Sequence, residues 1–177
     1  DVYKRQRRTD TSTEDGTKAY PYKTLKAAIE ANTNTDNTVV FYLESGIYLG
    51  EIDITKSSKN QEIHIIGCNR DAVQVSASLQ WDHNAGDILK LRNFKNVSIQ
   101  NITIKNGRYG FYPRDCDKVT IKNCIFKNCA SSGDTTMHEG SGSAVDQAKY
   151  KFGSGDDLAT NTSDGGAMRV RNCMDID

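Results

Sequence analysis

The chain has 177 residues, 36% of them hydrophobic and 26% charged, and its 23 basic side chains balance 23 acidic ones. This size suffices for one domain with a buried core. A chain without net charge is not attracted as a whole to phosphate or anionic lipid, which argues against a general nucleic-acid or membrane binder. No apolar run approaches the roughly 20 residues that span a bilayer, so no membrane insertion is expected.

The two ends of the sequence indicate a fragment. Residues 1–15 are polar and begin with Asp, and we interpret them as an unstructured leader or foreign sequence. One domain is predicted over residues 16–177, truncated at its C-terminus because the sequence stops in the middle of a repeat. A signal peptide is expected to have been lost with the missing N-terminus.

The first predicted element is a short helix over residues 22–32. Leu25, Ala28 and Ile29 recur at helical spacing. Thr24 is suited to be the N-cap, since its hydroxyl can accept a hydrogen bond from a backbone N–H of the first turn.

Residues 38–129 consist of short β-rich segments separated by Gly, Asn, Asp and Ser. The segments are TVVFYL, GIY, EIDI, EIHII, VQVS, DILKL, NVSI, ITI, KVTI and CIF. Two of the longer stretches nearly repeat one another: residues 97–106 read VSIQNITIKN and residues 119–128 read VTIKNCIFKN.

The repeat predicts a bend at each copy of one asparagine. In the first copy apolar residues alternate with period two, and the alternation slips by one residue at Asn101. Such a slip would turn all later side chains to the other face unless the backbone bends there. Asn tolerates the left-handed conformation that a tight bend needs. We therefore predict that Asn101 and Asn123 stack as a ladder in neighbouring coils.

Coils of about 22 residues with three short strands each predict an all-β parallel β-solenoid. A leucine-rich repeat is disfavoured because its Leu-x-x-Leu-x-Leu pattern is absent. A β-sandwich remains an alternative, although antiparallel hairpins do not explain side chains that recur coil by coil.

The Asn bends and the Ile-x-Asn-x-x-Ile/Phe rhythm resemble the right-handed parallel β-helix proteins of the pectate-lyase superfamily. Residues 16–31, followed by residues 39–48, are similar to the opening of many of these proteins, in which a helix plugs the first coil. The resemblance implies a right-handed parallel β-helix with an N-terminal capping helix. It does not assign a function, because the family includes lyases, hydrolases, epimerases, tailspikes and adhesins.

The stacked coils predict two outward columns of cationic and aromatic side chains. Like charges opposite one another in a strand ladder repel, so an anionic ligand such as a polyuronate would relieve this arrangement. The alternative is that the cations are solvated and pair with Asp87, Asp115 or Asp117. Tyr112 is a candidate to present its ring to a sugar, or is simply a half-buried strand residue. The predicted substrate-binding residues are Lys90, Arg92, Tyr112, Arg114, Arg169 and Arg171.

Residues 130–165 interrupt the repeat with a long insertion rich in Gly, Ser and Asp. Insertions of this length are usually functional or disordered. In the family that the chain resembles, such insertions wall a carbohydrate cleft, and some lyases use calcium. Asp156, Asp157 and Asp164 are speculative calcium ligands, with a plain solvated loop as the alternative.

The five cysteines form no pattern typical of a zinc site or a disulfide framework. Cys116 and Cys173 align with Phe94, and Cys124 aligns with Ile102, which predicts small inward hydrophobic side chains. A Cys116–Cys173 bridge would require their coils to be adjacent.

Two functions stay open at this point. The first is a secreted or cell-surface protein that binds, and in a pectate-lyase-like reaction cleaves, an acidic polysaccharide; whether it is a lyase, a glycoside hydrolase or no enzyme is undecided, since no catalytic set can be assigned. The second is a non-catalytic adhesin-like or autotransporter-passenger module. The Phe126-Lys-Asn and Gly165-Gly-Ala-Met stretches resemble motifs of polymorphic outer-membrane passenger domains and favour this second function.

Overall fold

The fold was analysed in a computed structural model that describes residues 2–4, 15–17, 19–32, 36–80, 86–129 and 166–177. One short helix, α1, spans Leu25–Asn32. The strands are β1 (Val2–Lys4), β2 (Thr38–Leu43), β3 (Gly46–Leu49), β4 (Ile52–Thr55), β5 (Glu62–Gly67), β6 (Val73–Ser76), β7 (Leu89–Arg92), β8 (Asn96–Gln100), β9 (Thr103–Gly107), β10 (Tyr109–Arg114), β11 (Lys118–Lys122), β12 (Ile125–Cys129), β13 (Gly166–Met168) and β14 (Asp175–Ile176).

These strands form three parallel sheets that the chain visits in a fixed order. The first sheet has the order β1-β2-β5-β8-β11-β14, the second β12-β9-β6-β3, and the third β13-β10-β7-β4. From β2 onward, each set of three consecutive strands contributes one strand to each sheet, and we call such a set a repeat. The predicted predominance of β-strands, the parallel sheets and the single short helix are confirmed, and the topology is compatible with a parallel β-helix.

The register explains why the sequence repeats. Ile99 of β8 lies between Ile65 of β5 and Ile121 of β11. Asn101 and Asn123 are 22 residues apart, as are Asn106 and Asn128. The spacing between the other neighbouring repeats is longer, because loops of different length are inserted between their strands.

A continuous hydrophobic core lies between the sheets. Its largest fully buried side chains include Phe41, Phe94, Phe111, Ile63 and Ile99. Inward residues of successive strands stack in columns, as Ile65, Ile99 and Ile121 do, so each repeat packs on the next. Burial of one such side chain contributes about 1.5–3 kcal/mol.

The helix covers one end of this core. Leu25, Ala28 and Ile29 are its buried residues. It begins three residues later than predicted because Thr24 is the N-cap: its Oγ1 accepts a hydrogen bond from Ala27 N at 3.0 Å.

The corners between strands depend on asparagine and aspartate. In the described chain, every non-glycine residue with positive φ is Asn or Asp, the two types that best tolerate this conformation. Their side chains also bond from one repeat to the next: Asn123 Nδ2 donates to Asn101 Oδ1 at 2.8 Å. The other two such bonds run from Asn128 to Asn106 (3.2 Å) and from Asn172 to Asp115 (2.9 Å).

Candidate functional site

The outward side of the third sheet brings the predicted substrate-binding residues into two columns. Lys90 lies beside Tyr112, and Arg92 lies beside Arg114, in the β7–β10 register. The columns continue onto the last repeat, since Arg114 pairs with Arg171. Arg169 N donates to Phe111 O at 3.0 Å, which sets Arg169 next to Tyr112. We call Lys90, Arg92, Tyr112, Arg114, Arg169 and Arg171 the cationic face.

An acidic residue that the sequence did not single out begins the first column. Asp53 of β4 is in register with Lys90 of β7. Its carboxylate lies 3.1 Å from Lys90 Nζ and 3.2 Å from an Arg92 terminal nitrogen. Asp53 thus neutralises part of the cationic face at its N-terminal end. Of the three partners predicted from the sequence, Asp117 lies elsewhere, because it accepts a hydrogen bond from Lys59.

Arg114 is paired differently. Its Nε donates to Asp115 Oδ2 at 3.1 Å, while Asp115 Oδ1 accepts from Asn172. The carboxylate therefore serves both a corner of the fold and the neighbouring arginine. Within the described chain, no side-chain partner is found for the two terminal nitrogens of Arg114, and the side chain is 32% exposed. Terminal guanidinium nitrogens are the groups with which arginine forms bidentate contacts to carboxylates.

Two tyrosines and three cations form a compact cluster at one edge of the cationic face. The rings of Tyr109 and Tyr112 are 5.8 Å apart. The Arg169 guanidinium lies 5.4 Å from the Tyr109 ring and 5.2 Å from the Tyr112 ring. Lys90 Nζ lies 5.7 Å from the Tyr112 ring, and Arg108 lies 5.6 Å from the Tyr109 ring. Each tyrosine is only 6% exposed, so in this structure the Tyr112 ring offers a ligand little surface.

A buried carboxylate, that of Asp87, pairs with two cations of this cluster. The Asp87 side chain is 6% exposed and accepts a hydrogen bond from Arg108 Nε at 2.9 Å. This hydrogen bond raises the pKa of the Arg108 guanidinium. Lys90 Nζ lies 3.9 Å from the same carboxylate. A buried charge needs such partners, because desolvation without them costs several kcal/mol.

The predicted calcium ligands Asp156, Asp157 and Asp164, like the rest of the insertion, lie outside the described residues. Within those residues, no three His, Cys, Asp or Glu side chains are grouped to hold a metal ion. The described part also has no helix long and apolar enough to cross a membrane.

Sequence reasoning missed Asp53 and Arg108 as members of the site. The alternation of apolar and polar residues in the segment EIDI shows that Asp53 faces outward. Its partner Lys90, however, is identified only by the register of β4 and β7. Arg108 is a corner residue between β9 and β10, and strand alternation does not apply there.

The site is thus an elongated, mainly cationic strip whose arginines suit a series of carboxylates or sulfates. Comparison of the chain with protein-family models, curated proteins and solved structures gave no match.

Proposed function

We propose that this protein is a secreted or cell-surface right-handed parallel β-helix of the pectate-lyase type and that its cationic face binds an acidic polysaccharide. The observation that carries the proposal is the stacking of Arg92, Arg114 and Arg171 in one column. Neighbouring strands are about 4.8 Å apart, so a column repels itself unless anions lie along it. A polyuronate presents such anions at a regular repeat.

The pairing of the arginines supports a binding role for the middle of the column. Arg114 contacts Asp115 through Nε, a contact that does not use its two terminal nitrogens. Exposure of about a third of the side chain allows a ligand carboxylate to reach them. Asp53 limits the strip at one end, since it already occupies Lys90 and Arg92.

One observation favours the second candidate, a non-catalytic surface module. Lys90, Arg92 and Arg114 each have a carboxylate partner within the chain. An internal ion-pair network would stabilise the sheet without any ligand, although exposed pairs contribute only about 0–1 kcal/mol each. We assign no catalytic residue under either candidate. Enzyme activity should be tested after binding has been measured.

The test is a binding screen of the 177-residue chain against polygalacturonate, alginate and a neutral glycan, with and without Ca²⁺. We expect the wild type to bind the two anionic polymers selectively and to lose affinity as salt rises. The Arg92→Ala/Arg114→Ala variant should bind at least about tenfold more weakly, since each lost charge-assisted contact is worth roughly 1.5–3 kcal/mol before compensation.

The matched control is Lys122→Ala/Lys127→Ala, which removes two exposed lysines from the first and second sheets. Equal losses in both double variants would show general attraction to a polyanion and contradict a specific strip. An Asp53→Asn variant should bind anionic glycans more tightly, because it releases Lys90 and Arg92. No binding in any condition would leave the non-catalytic module as the better function.

Calcium dependence is a separate outcome of the same screen. Binding that requires Ca²⁺ and is lost in Asp156→Asn/Asp157→Asn would support the predicted metal ligands. Binding that is indifferent to Ca²⁺ would count against them and leave the cationic face as the complete site.

A further inference from the structure

Two cysteines of neighbouring repeats lie side by side at the corner that follows the third sheet. The backbone joins the two repeats on both sides of the pair: Asp115 N donates to Arg171 O at 2.9 Å, and Asp175 N donates to Asp117 O at 3.0 Å. Cys116 and Cys173 are therefore equivalent residues of adjacent repeats, a condition that the sequence alone left open. Neighbouring parallel strands are about 4.8 Å apart, inside the roughly 4.4–6.8 Å that separates the Cα atoms of a disulfide.

The side chains have the same orientation as well. The Cys116 thiol donates to Arg114 O at 3.3 Å, and the Cys173 thiol donates to Arg171 O at 3.4 Å. Each thiol thus points to the carbonyl two residues before it, so the two side chains have the same orientation in adjacent repeats.

The two thiols differ in accessibility and acidity. Cys116 is fully buried, whereas Cys173 is partly exposed. The neighbouring Cys173 thiol, together with burial, raises the pKa of Cys116. The neighbouring Cys116 thiol lowers the pKa of Cys173. Of these two thiols, Cys173 is consequently the one that a soluble oxidant meets first.

We propose that Cys116 and Cys173 form a disulfide bond under oxidising conditions and that this bond ties residues 166–177 to the preceding repeat. The proposal is independent of glycan binding. The oxidant we name is a small-molecule disulfide such as oxidised glutathione. The Cys173 thiolate attacks one of its sulfurs, forms a mixed disulfide and releases one glutathione thiolate. Cys116 then loses its proton, attacks the Cys173 sulfur and releases the second glutathione thiolate, so that two protein thiols have become one disulfide.

Two of the other cysteines, Cys124 and Cys129, provide internal controls. Cys129 pairs in register with Gly107, and Cys124 lies beside the corner at Ile102, so neither has a cysteine neighbour in the adjacent repeat. Burial raises the pKa of Cys124 and raises that of Cys129 to about 12. We expect both to stay reduced under conditions that join Cys116 to Cys173.

The test treats the full chain with oxidised glutathione and then alkylates it in denaturant. We expect Cys116 and Cys173 to lose alkylation together and a peptide that links Cys116 to Cys173. The melting temperature should rise by about 5–15 °C, because the bond closes a long loop in the unfolded chain. Hydrogen exchange of residues 166–177 should slow at the same time, and the reductant dithiothreitol should reverse all three changes.

Two single variants, Cys116→Ser and Cys173→Ser, should show neither the link nor the rise in melting temperature. Cys124→Ser should behave like the wild type, and circular dichroism of each reduced variant checks that it has folded. If Cys116→Ser does not fold, Cys173→Ser at the more exposed position still tests the bond. The proposal is overturned if all five thiols remain alkylable, if the link joins other cysteines, or if a glutathione adduct on Cys173 persists unresolved.

Discussion

The outward faces of the first and third sheets have the same backbone arrangement but different charge neighbours. On the first sheet, one column reads Glu62, Asn96, Lys118 and Asp175. Its ionic neighbours are of opposite sign, as in the Lys118–Asp175 pair at 3.5 Å. On the third sheet, three arginines adjoin in one column.

This difference distinguishes charged neighbours that stabilise the sheet from charged neighbours that strand packing does not explain. Cross-strand pairs of opposite charge stabilise a sheet, and like charges directly opposite destabilise it, by roughly 0.2–1 kcal/mol in either case. The first sheet follows this preference. The third sheet departs from it at Arg92, Arg114 and Arg171, so strand packing alone does not account for that column. Residues that break a local rule of strand packing are where function is best sought.

The two sheets differ in their outward side chains but share one core. Truncation of a core side chain under either sheet should therefore lower the free energy of unfolding more than any change on the surface. Phe111 under the cationic face and Ile99 under the first sheet are fully buried. We expect Phe111→Ala to lower the free energy of unfolding by about 3–5 kcal/mol and Ile99→Ala by about 2–5 kcal/mol. Urea denaturation monitored by circular dichroism measures both.

The control for this experiment is Thr120→Ala, at an outward and half-exposed position of β11. Its effect should stay within about 0.5 kcal/mol. A tolerated Phe111→Ala beside a damaging Ile99→Ala would break the comparison, because it would mean that the third sheet is not packed on the same core.

Charge reversal on each face should sharpen the comparison with an intermediate effect. Lys118→Glu places a carboxylate beside Asp175, and we expect a loss of about 0.2–1 kcal/mol in unfolding free energy. Arg114→Glu places a carboxylate between Arg92 and Arg171. Its attraction to these two arginines is partly offset by repulsion from Asp115. We therefore expect no loss of stability from Arg114→Glu, together with loss of binding to polygalacturonate.

Arg114→Glu should abolish binding without loss of stability only if the arginine column serves a ligand. A substantial destabilisation by Arg114→Glu, equal to that of Lys118→Glu, would show that the column is part of the structural framework. In that case the ion pair with Asp115 is what the fold requires of Arg114.

Much of this arrangement was predictable because repeats of equal length place equivalent residues in register. The alignment of residues 97–106 with 119–128 identified the bends at Asn101 and Asn123, and the alignment of residues 89–96, 111–118 and 168–173 identified the arginine column. Gly67 shows where this reasoning ends. It precedes Asn101 in the stack, and a Cβ there would clash with the Asn101 carbonyl oxygen, a constraint that appears only when the repeats are packed.

The site residues that the sequence did not predict lie where the spacing between repeats is irregular or next to a corner. Asp53 and Lys90 are 37 residues apart, whereas the next pair of that column, Lys90 and Tyr112, is 22 residues apart, so no fixed period relates Asp53 to Lys90. Tyr109 and Tyr112 have opposite parity in a strand, yet their rings are in contact because Tyr109 follows directly on the corner at Arg108. Periodicity places residues within a coil, whereas contacts across insertions and corners require the three-dimensional register.

The smallest expected effect is a pH dependence confined to the first sheet. Lys95 Nζ lies 2.8 Å from Glu62, and this hydrogen bond lowers the pKa of Glu62. A carboxylate whose pKa is lowered by folding stabilises the protein above its unfolded pKa of about 4.3, and the contribution disappears as the pH falls through the lower folded value. The urea midpoint of Glu62→Gln should therefore lie slightly below that of the wild type near neutrality and coincide with it in strong acid. High salt should also reduce the difference, because Lys95 is exposed to solvent and its charge is screened. A difference that persisted in acid would have to come from packing of the Glu62 side chain, and the alternation of charges on the first sheet would then lose its electrostatic explanation.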